Sequence, residues 1–328
     1  MRKKSLEVKK KHHYVWANYL LNWSDNNRDI YYLTESKKIA FDSCKGIAQQ
    51  KDFYKISALT NDQIEVIRQI SRNSPPELQY LHEQLLISFL TQQHLEFVYT
   101  SSKVKDEDTE LFIKAFKNNA IENLHSNHED EIKKIISSLK NRDLSILDDV
   151  FNLAKFLEFV AQQFTRTKSV KSNYMAQQQH KNGPSDKHKE KLVNDVWWFI
   201  SYMLGMNIGY SLFCGRENYH FVLLINESEV PFITSDQPVI NVKSEFIPDS
   251  RLDDALNLFY PLSPTIAFYI SRKNYPPPKD IISNSSIIER FNIEIAKQSN
   301  THLFGNNAEV LKNLQKHVGD YFFSLNHE

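Results

Sequence analysis

The chain has 328 residues, 40 Lys+Arg balanced by 40 Asp+Glu, with 41% hydrophobic and 12% aromatic residues. Such a composition excludes a disordered chain, a collagen-like repeat and a disulfide scaffold. A net charge of zero removes any whole-molecule attraction to nucleic acid or membrane, though a local basic patch remains open.

The start, Met1-Arg2-Lys3-Lys4, is basic, but Lys9, Lys10, Lys11, His12 and His13 stand where a signal peptide needs an apolar run. Cys44 and Cys214 lack the spacing of a metal site or a disulfide framework, so a reduced, cytoplasmic location is expected. From Tyr14 to Tyr54 the text is aromatic and turn-rich. Ile30–Leu33 and Ile39–Phe41 are predicted to form a hairpin. Thr60 and Gln63 make a capping-box signature ahead of Ile64, Ile67 and Ile70, which predicts a helix start. Pro75-Pro76 ends that helix and opens the next, whose apolar stripe is Leu78, Leu81, Leu85, Phe89 and Leu95. Two charged helices with a solvated outer face are expected over 106–142. From Ser145 to about Thr167, Leu147, Val150, Phe151, Ala154, Leu157 and Val160 recur on one side of a strongly amphipathic helix.

After the break at Asn182-Gly183-Pro184, Val196 to Gly215 runs twenty residues without a charge, the length of a membrane span. Gly205, Gly209 and Asn207 interrupt it and no second span follows, so Leu192 to Leu212 is predicted as a buried helix. Three strands are expected at Phe221–Ile225, Phe232–Thr234 and Thr265–Ile270, punctuated by Pro261, Pro264 and the run Pro276–Pro278. Helices are predicted at Ile287–Gln298 and Ala308–His317, with a short strand at Thr301–Phe304 between them. The order predicts an α+β fold: a helical middle packed on a mixed, largely antiparallel sheet built from N- and C-terminal segments. The expected segments are 1–58, 59–215 and 216–328, forming one compact unit.

No phosphate loop, dinucleotide fingerprint, zincin helix or nucleophile elbow is present among only 7 glycines. Four constellations carry suggestive chemistry. Lys11-His12-His13-Tyr14 offers an imidazole that titrates near neutrality; equally, one His points inward and hydrogen-bonds at a strand edge. Gln163 and Arg166 share a helix face and can hold an oxyanion, or Arg166 can simply satisfy the helix C-terminus. Ser235-Asp236-Gln237-Pro238 ends a strand in polar groups, either as an Asx-type turn or as a rigid carboxylate for base or metal chemistry. Gln92 and His94 form a polar break on an apolar helix, either facing the same cavity as Gln163 or, as helix periodicity favours, lying on the surface.

His13-Tyr14-Val15, Tyr19-Leu20, Trp23, Ile30-Tyr31-Tyr32 and Asp52-Phe53-Tyr54 resemble the opening of the domain-of-unknown-function 4238 family. Gln163, Arg166, the stretch Phe232–Val239, Tyr260–Pro264 and Asn292 are similar to that family in the same order. Trp16 stands where the family usually has proline, and Gln237 where asparagine is usual. The resemblance implies that distant segments meet in one cleft: His13, Arg166 and Asp236 as catalytic residues, with Gln163, Ser235, His12, Tyr14 and Lys11 contacting substrate. Such a set suits a phosphate-directed hydrolase, foremost a nuclease acting on RNA or DNA, with a divalent ion as the cofactor it would admit and microbial defence as its setting. Lysines flanking His13 and following Arg166 (Lys3, Lys4, Lys9, Lys10, Lys11, Lys168, Lys171, Lys181, Lys187, Lys189, Lys191) either favour nucleic acid as partner or form solvated helix faces; a regulatory protein is a further partner, and no membrane is expected. The rival expectation is a non-catalytic sensor or binding module in which Arg166 and Asp236 form a structural ion pair.

Overall fold

The computed structural model describes residues 7–182, 187–242, 256–273 and 279–320. Lys3, Lys4, the Pro276–Pro278 run and the side chain of Lys181 lie outside that description.

The chain opens with β1 (Lys11–His13), a one-turn α1 (Ala17–Leu20) and the hairpin β2 (Asp29–Leu33) and β3 (Ile39–Ser43), then β4 (Gln49–Lys51), which returns to pair antiparallel with β1. The capping box is formed as expected: Thr60 accepts from the Gln63 backbone, Gln63 reaches back to Thr60, and α2 (Asn61–Ser71) follows. Next come α3 (Pro76–Ser101), started by Pro76 in its first turn, α4 (Glu107–Glu131) and α5 (Lys133–Lys140).

Two helix boundaries differ from the sequence reading. Asp149 caps α6 (Val150–Thr165) by accepting from the backbone of Phe151 and Asn152, so Leu144–Leu147 is a separate 3-10 turn and Phe151 is left 74% exposed. An unforeseen α7 (Lys168–Asn182) follows directly. The long apolar helix is broken at Val196 into α8 (Lys187–Asp195) and α9 (Trp197–Cys214). As expected, α9 is buried, and among the described residues no helix is long and apolar enough to cross a membrane.

The remainder is β5 (Tyr219–Asn226), β6 (Thr234–Ser235), β7 (Ile240–Asn241), β8 (Leu258–Ser263), β9 (Ile266–Arg272), β10 (Ile281–Ile282), α10 (Ser285–Gln298), β11 (Leu303–Gly305) and α11 (Ala308–Leu314). The α+β expectation holds. Besides the β1–β4 pair, one sheet has the order β10-β5-β9-β8-β7 and another β3-β2-β11-β6, so N- and C-terminal segments do share a sheet, although the strands divide among three sheets and not one. Strand β8 was hidden from the sequence by Pro261, which a ladder excludes except at an edge or irregularity. Here the β8–β9 register shifts between Pro261 and Ser263, and the Pro261 carbonyl accepts the Tyr19 hydroxyl at 2.8 Å.

Helices α6 and α9 pack side by side. Their approach depends on glycine: a Cβ at Gly209 would stand 2.9 Å from the Glu158 Cα, and one at Gly205 would stand 2.6 Å from the Gln162 side chain. This close crossing seats the C-terminal end of α6 in the core. The α3 stripe is only half right. Leu78 and Phe89 are buried and Leu85 is half-buried, whereas Leu81 and Leu95 are 46% and 52% exposed.

Candidate functional site

Helix α4 presents Glu122, His125 and Glu129 at i, i+3 and i+7, which places them on one face. That face was expected to be solvated, yet Glu122 is 9% exposed and His125 3%. Opposite them, at the C-cap of α6, Arg166 is 2% exposed. Its Nη1 donates to Glu129 Oε1 at 3.0 Å and its Nη2 to Gln163 Oε1 at 2.6 Å. Tyr54, from the loop after β4, and Tyr260, from β8, lie within the field of the guanidinium.

Burial sets the protonation of this centre and Arg166 modulates it. Burial raises Glu122 to about 7, against the attraction of Arg166. It also holds Glu129 above the usual carboxylate range, again offset in part by Arg166. Burial and the nearby guanidinium together keep His125 neutral, well below its ordinary value. For Arg166 burial opposes the charge, but Tyr54, Glu129 and Glu122 together outweigh it and raise its pKa. Tyr54 Oη, His125 Nδ1, Arg166 Nε and Tyr260 Oη have no hydrogen-bond partner among the described residues. Three buried groups around the guanidinium, and its own Nε, thus keep unspent hydrogen-bonding capacity, which is costly, since an unpaired buried polar group costs about 1–3 kcal/mol.

The histidines of β1 divide as the blander expectation had it. His12 is fully buried; its Nδ1 accepts from the Tyr54 backbone at 2.9 Å and its Nε2 faces the Lys9 carbonyl at 3.2 Å, which fixes one neutral tautomer. That is a structural role, not substrate contact. His13 is half-buried, with Nε2 3.3 Å from the Lys45 carbonyl and its backbone N–H donating to Glu122 Oε1 at 3.4 Å. Its pKa is lowered, first by burial and then by Arg166, Lys11 and Lys9, beyond what the Lys45 carbonyl restores. Tyr14 is buried beneath the Lys168 ammonium, 5.3 Å from its ring centre, and burial together with Asp236 and Glu35 raises its pKa. Lys11 is exposed.

Asp236 does something different from what was expected. Its two carboxylate oxygens accept the backbone N–H groups of Asn300, Thr301 and His302 at 2.7, 2.8 and 3.0 Å, and the Thr301 hydroxyl at 3.1 Å. Both oxygens are thus committed to holding the chain that leads into β11. Ser235 closes a local turn with the backbone of Gln237. Gln237 tethers the end of α6: the Thr167 hydroxyl donates to its Oε1, and its Nε2 donates to the Phe164 carbonyl at 3.1 Å. The expected Arg166–Asp236 pair is therefore not formed, because Glu129 is the carboxylate on Arg166. Arg166 and Gln163 do meet as the helix spacing implied, and His13 reaches their centre only through Glu122. Asp236 and Ser235 do not join it. His94 is exposed, away from this centre, while Gln93 beside it holds the Leu59 backbone.

Glu122, His125 and Glu129 were missed in the sequence. The available signal was their shared face with Ile121, an aliphatic residue that must turn inward. Among the described residues no three His, Cys, Asp or Glu side chains gather as metal ligands.

The fold and centre define an α+β protein with a buried Arg–Glu–Gln hub roofed by a lysine-rich ribbon. The chain belongs to the family described as "Protein of unknown function (DUF4238)", whose model matches residues 11–309. No curated protein and no solved structure matches it.

Proposed function

We propose that this chain is a binding module for a phosphate-rich polyanion, a nucleic acid strand, which it contacts across the β1–β4 ribbon. The observation that carries this reading is the pairing of Lys11 directly opposite Lys51 in a two-stranded ladder, with exposed Lys9, Lys10 and Lys45 beside them. Like charges facing each other across strands are destabilising without a counter-charge. Among the described residues Lys10, Lys11, Lys45 and Lys51 form no ion pair. A strand of phosphates supplies what the ribbon lacks. The Arg166 hub is a positioning element, its neighbour Glu122 accepting the backbone N–H of His13. In a microbial defence setting such a module serves as a sensor of nucleic acid.

The second reading, a nuclease, rests on Glu122. A carboxyl that burial raises to about 7, accepting the backbone N–H of the half-buried His13, is placed to move a proton near the ribbon. Against it, Arg166 is sealed and Asp236 is committed to backbone, so two of the three expected catalytic groups are removed from substrate.

One set of measurements separates the readings. Labelled RNA, single-stranded DNA and duplex DNA are titrated with wild type, with K11E/K51E and with H13A, with and without magnesium or manganese, and then run on a gel. The binding module predicts intact strands and an affinity that falls with salt. With about five phosphate contacts, log K against log salt has a slope of about −3.5 for a single strand, and K11E/K51E flattens it to about −2 or less. Cleavage that survives purification and is lost in H13A establishes the nuclease instead. No binding at 50 mM salt to any strand, without cleavage, refutes both.

A further inference from the structure

The outward side of α3 carries Tyr80, Leu81, Ile87, Leu95 and Val98, exposed by 65, 46, 44, 52 and 51%. At 100° per residue these five fall within about a third of the helix circumference, and the positions between them are the uncharged Gln84, Ser88 and Thr91. The ridge runs about 27 Å from Tyr80 to Val98 at 1.5 Å per residue. Beside it, between α3 and α4, lies a groove of about 300 Å³ whose lining includes Leu85, Phe89, Phe112, Phe116 and Leu124. Phe112 on its rim is 49% exposed.

We propose that this face is a homodimer interface, in which the α3 ridge of one copy lies in the α3–α4 groove of a second copy related by a two-fold axis. Three features choose a second copy over other occupants. A two-fold interface needs a surface that is its own complement, and a ridge set beside a groove on one face meets that need. The area fits: six half-exposed apolar side chains at roughly 100 Å² each give about 600 Å², and the groove walls bring one copy near the ~800 Å² that each partner of a stable pair contributes. That also reaches the upper end of the largest apolar patch on an ordinary monomer, ~300–600 Å². Charge decides against a lipid surface. Membrane-lying helices set Lys and Arg around the apolar face, whereas α3 has Glu77, Glu83 and Glu96 and no basic residue apart from His82 and His94.

The test is the mass of the purified full chain by light scattering over 1–100 μM, which should be twice the 38.5 kDa of one chain. Ile87→Glu with Leu95→Glu should halve it, with unchanged far-UV circular dichroism, while Phe151→Glu, an exposed residue on α6, should leave the dimer intact. Ser88 is exposed on the ridge and also lines the groove, so it stands where the two-fold axis passes, and Ser88→Cys in a Cys214→Ser background should give a disulfide-linked dimer under mild oxidation. A monomeric wild type at 100 μM, or a dimer that persists in the charge variant and shows no Ser88→Cys cross-link, overturns the proposal. So does a monomer that co-sediments with phosphatidylglycerol vesicles, which would hand the face to lipid.

Discussion

Replacing Glu122 with Gln should stabilise the protein at pH 8 and leave it unchanged at pH 4. The carboxyl stands at about 7 in the folded state against 4.5 ordinarily, because burial disfavours its charge more than Arg166 favours it. A carboxyl raised in this way keeps its proton in the folded chain while the unfolded chain has released it. Its contribution is therefore most favourable below pH 4.5 and is lost as the pH climbs to 7. At about 1.36 kcal/mol per pH unit, the wild type gives up about 3 kcal/mol across that window, a large share of a net stability of ~5–15 kcal/mol. Gln keeps an oxygen for the His13 N–H and has nothing to ionise, so E122Q should recover that amount at pH 8. The difference between the two proteins is the right quantity, since His12, His13 and His125, all lowered by burial, tilt both curves the opposite way. Urea unfolding at half-unit steps from pH 4 to 8, followed by tryptophan fluorescence, gives the comparison. Parallel curves for wild type and E122Q would refute the placement of Glu122 as a buried carboxyl.

Arg166→Met should destabilise by about 3–5 kcal/mol, because Glu129 and Glu122 lose their cation, and adding Glu129→Leu should restore a large part. Costs that simply add in the double variant would show the pair to be uncoupled. Asp236→Asn should cost about 2–4 kcal/mol, as one acceptor oxygen among the N–H groups of Asn300, Thr301 and His302 becomes a donor, while nucleic acid binding by the folded fraction stays at the wild-type level. A fall in affinity without a fall in the urea midpoint would return Asp236 to the binding surface. Gly209→Ala brings a methyl 2.9 Å from the Glu158 Cα, which is backbone and cannot turn aside, so a cost of about 2 kcal/mol is expected despite alanine's better helix propensity. A more stable G209A, by thermal melt, would show that α6 and α9 have room to spare.

What could be read in the sequence was what the chain decides locally. The capping box at Thr60 and Gln63 involves groups three residues apart, and the hairpin at Ile30–Leu33 and Ile39–Phe41 is fixed by alternation and a short turn. The pairing of Gln163 with Arg166 was legible for the same reason. The carboxylate on Arg166 was not, because Glu129 lies 37 positions away on a helix whose charges resemble a wetted face. Asp236 was read as an Asx-turn former, but Ser235 makes the turn and Asp236 anchors Asn300–His302, more than sixty positions on. Leu81 and Leu95 were assigned inward because apolar spacing alone does not say which face meets the core in a helix whose apolar residues are spread around its circumference. Pro261 hid a central strand by obeying the exception to its own rule.

The narrow sheet in which β11 lies between β2 and β6 has a consequence for how the protein is made. His302, at the head of β11, bonds the Leu33 carbonyl 269 positions earlier. A ribosome adding roughly 5–20 residues per second leaves the emerged hairpin without its neighbour for about 15 to 50 seconds. Throughout that interval β2 offers a bare edge to whatever else is in the cell. A product that stops short of Leu303 cannot close this sheet, so none of what precedes it becomes a finished molecule until β11 has been made.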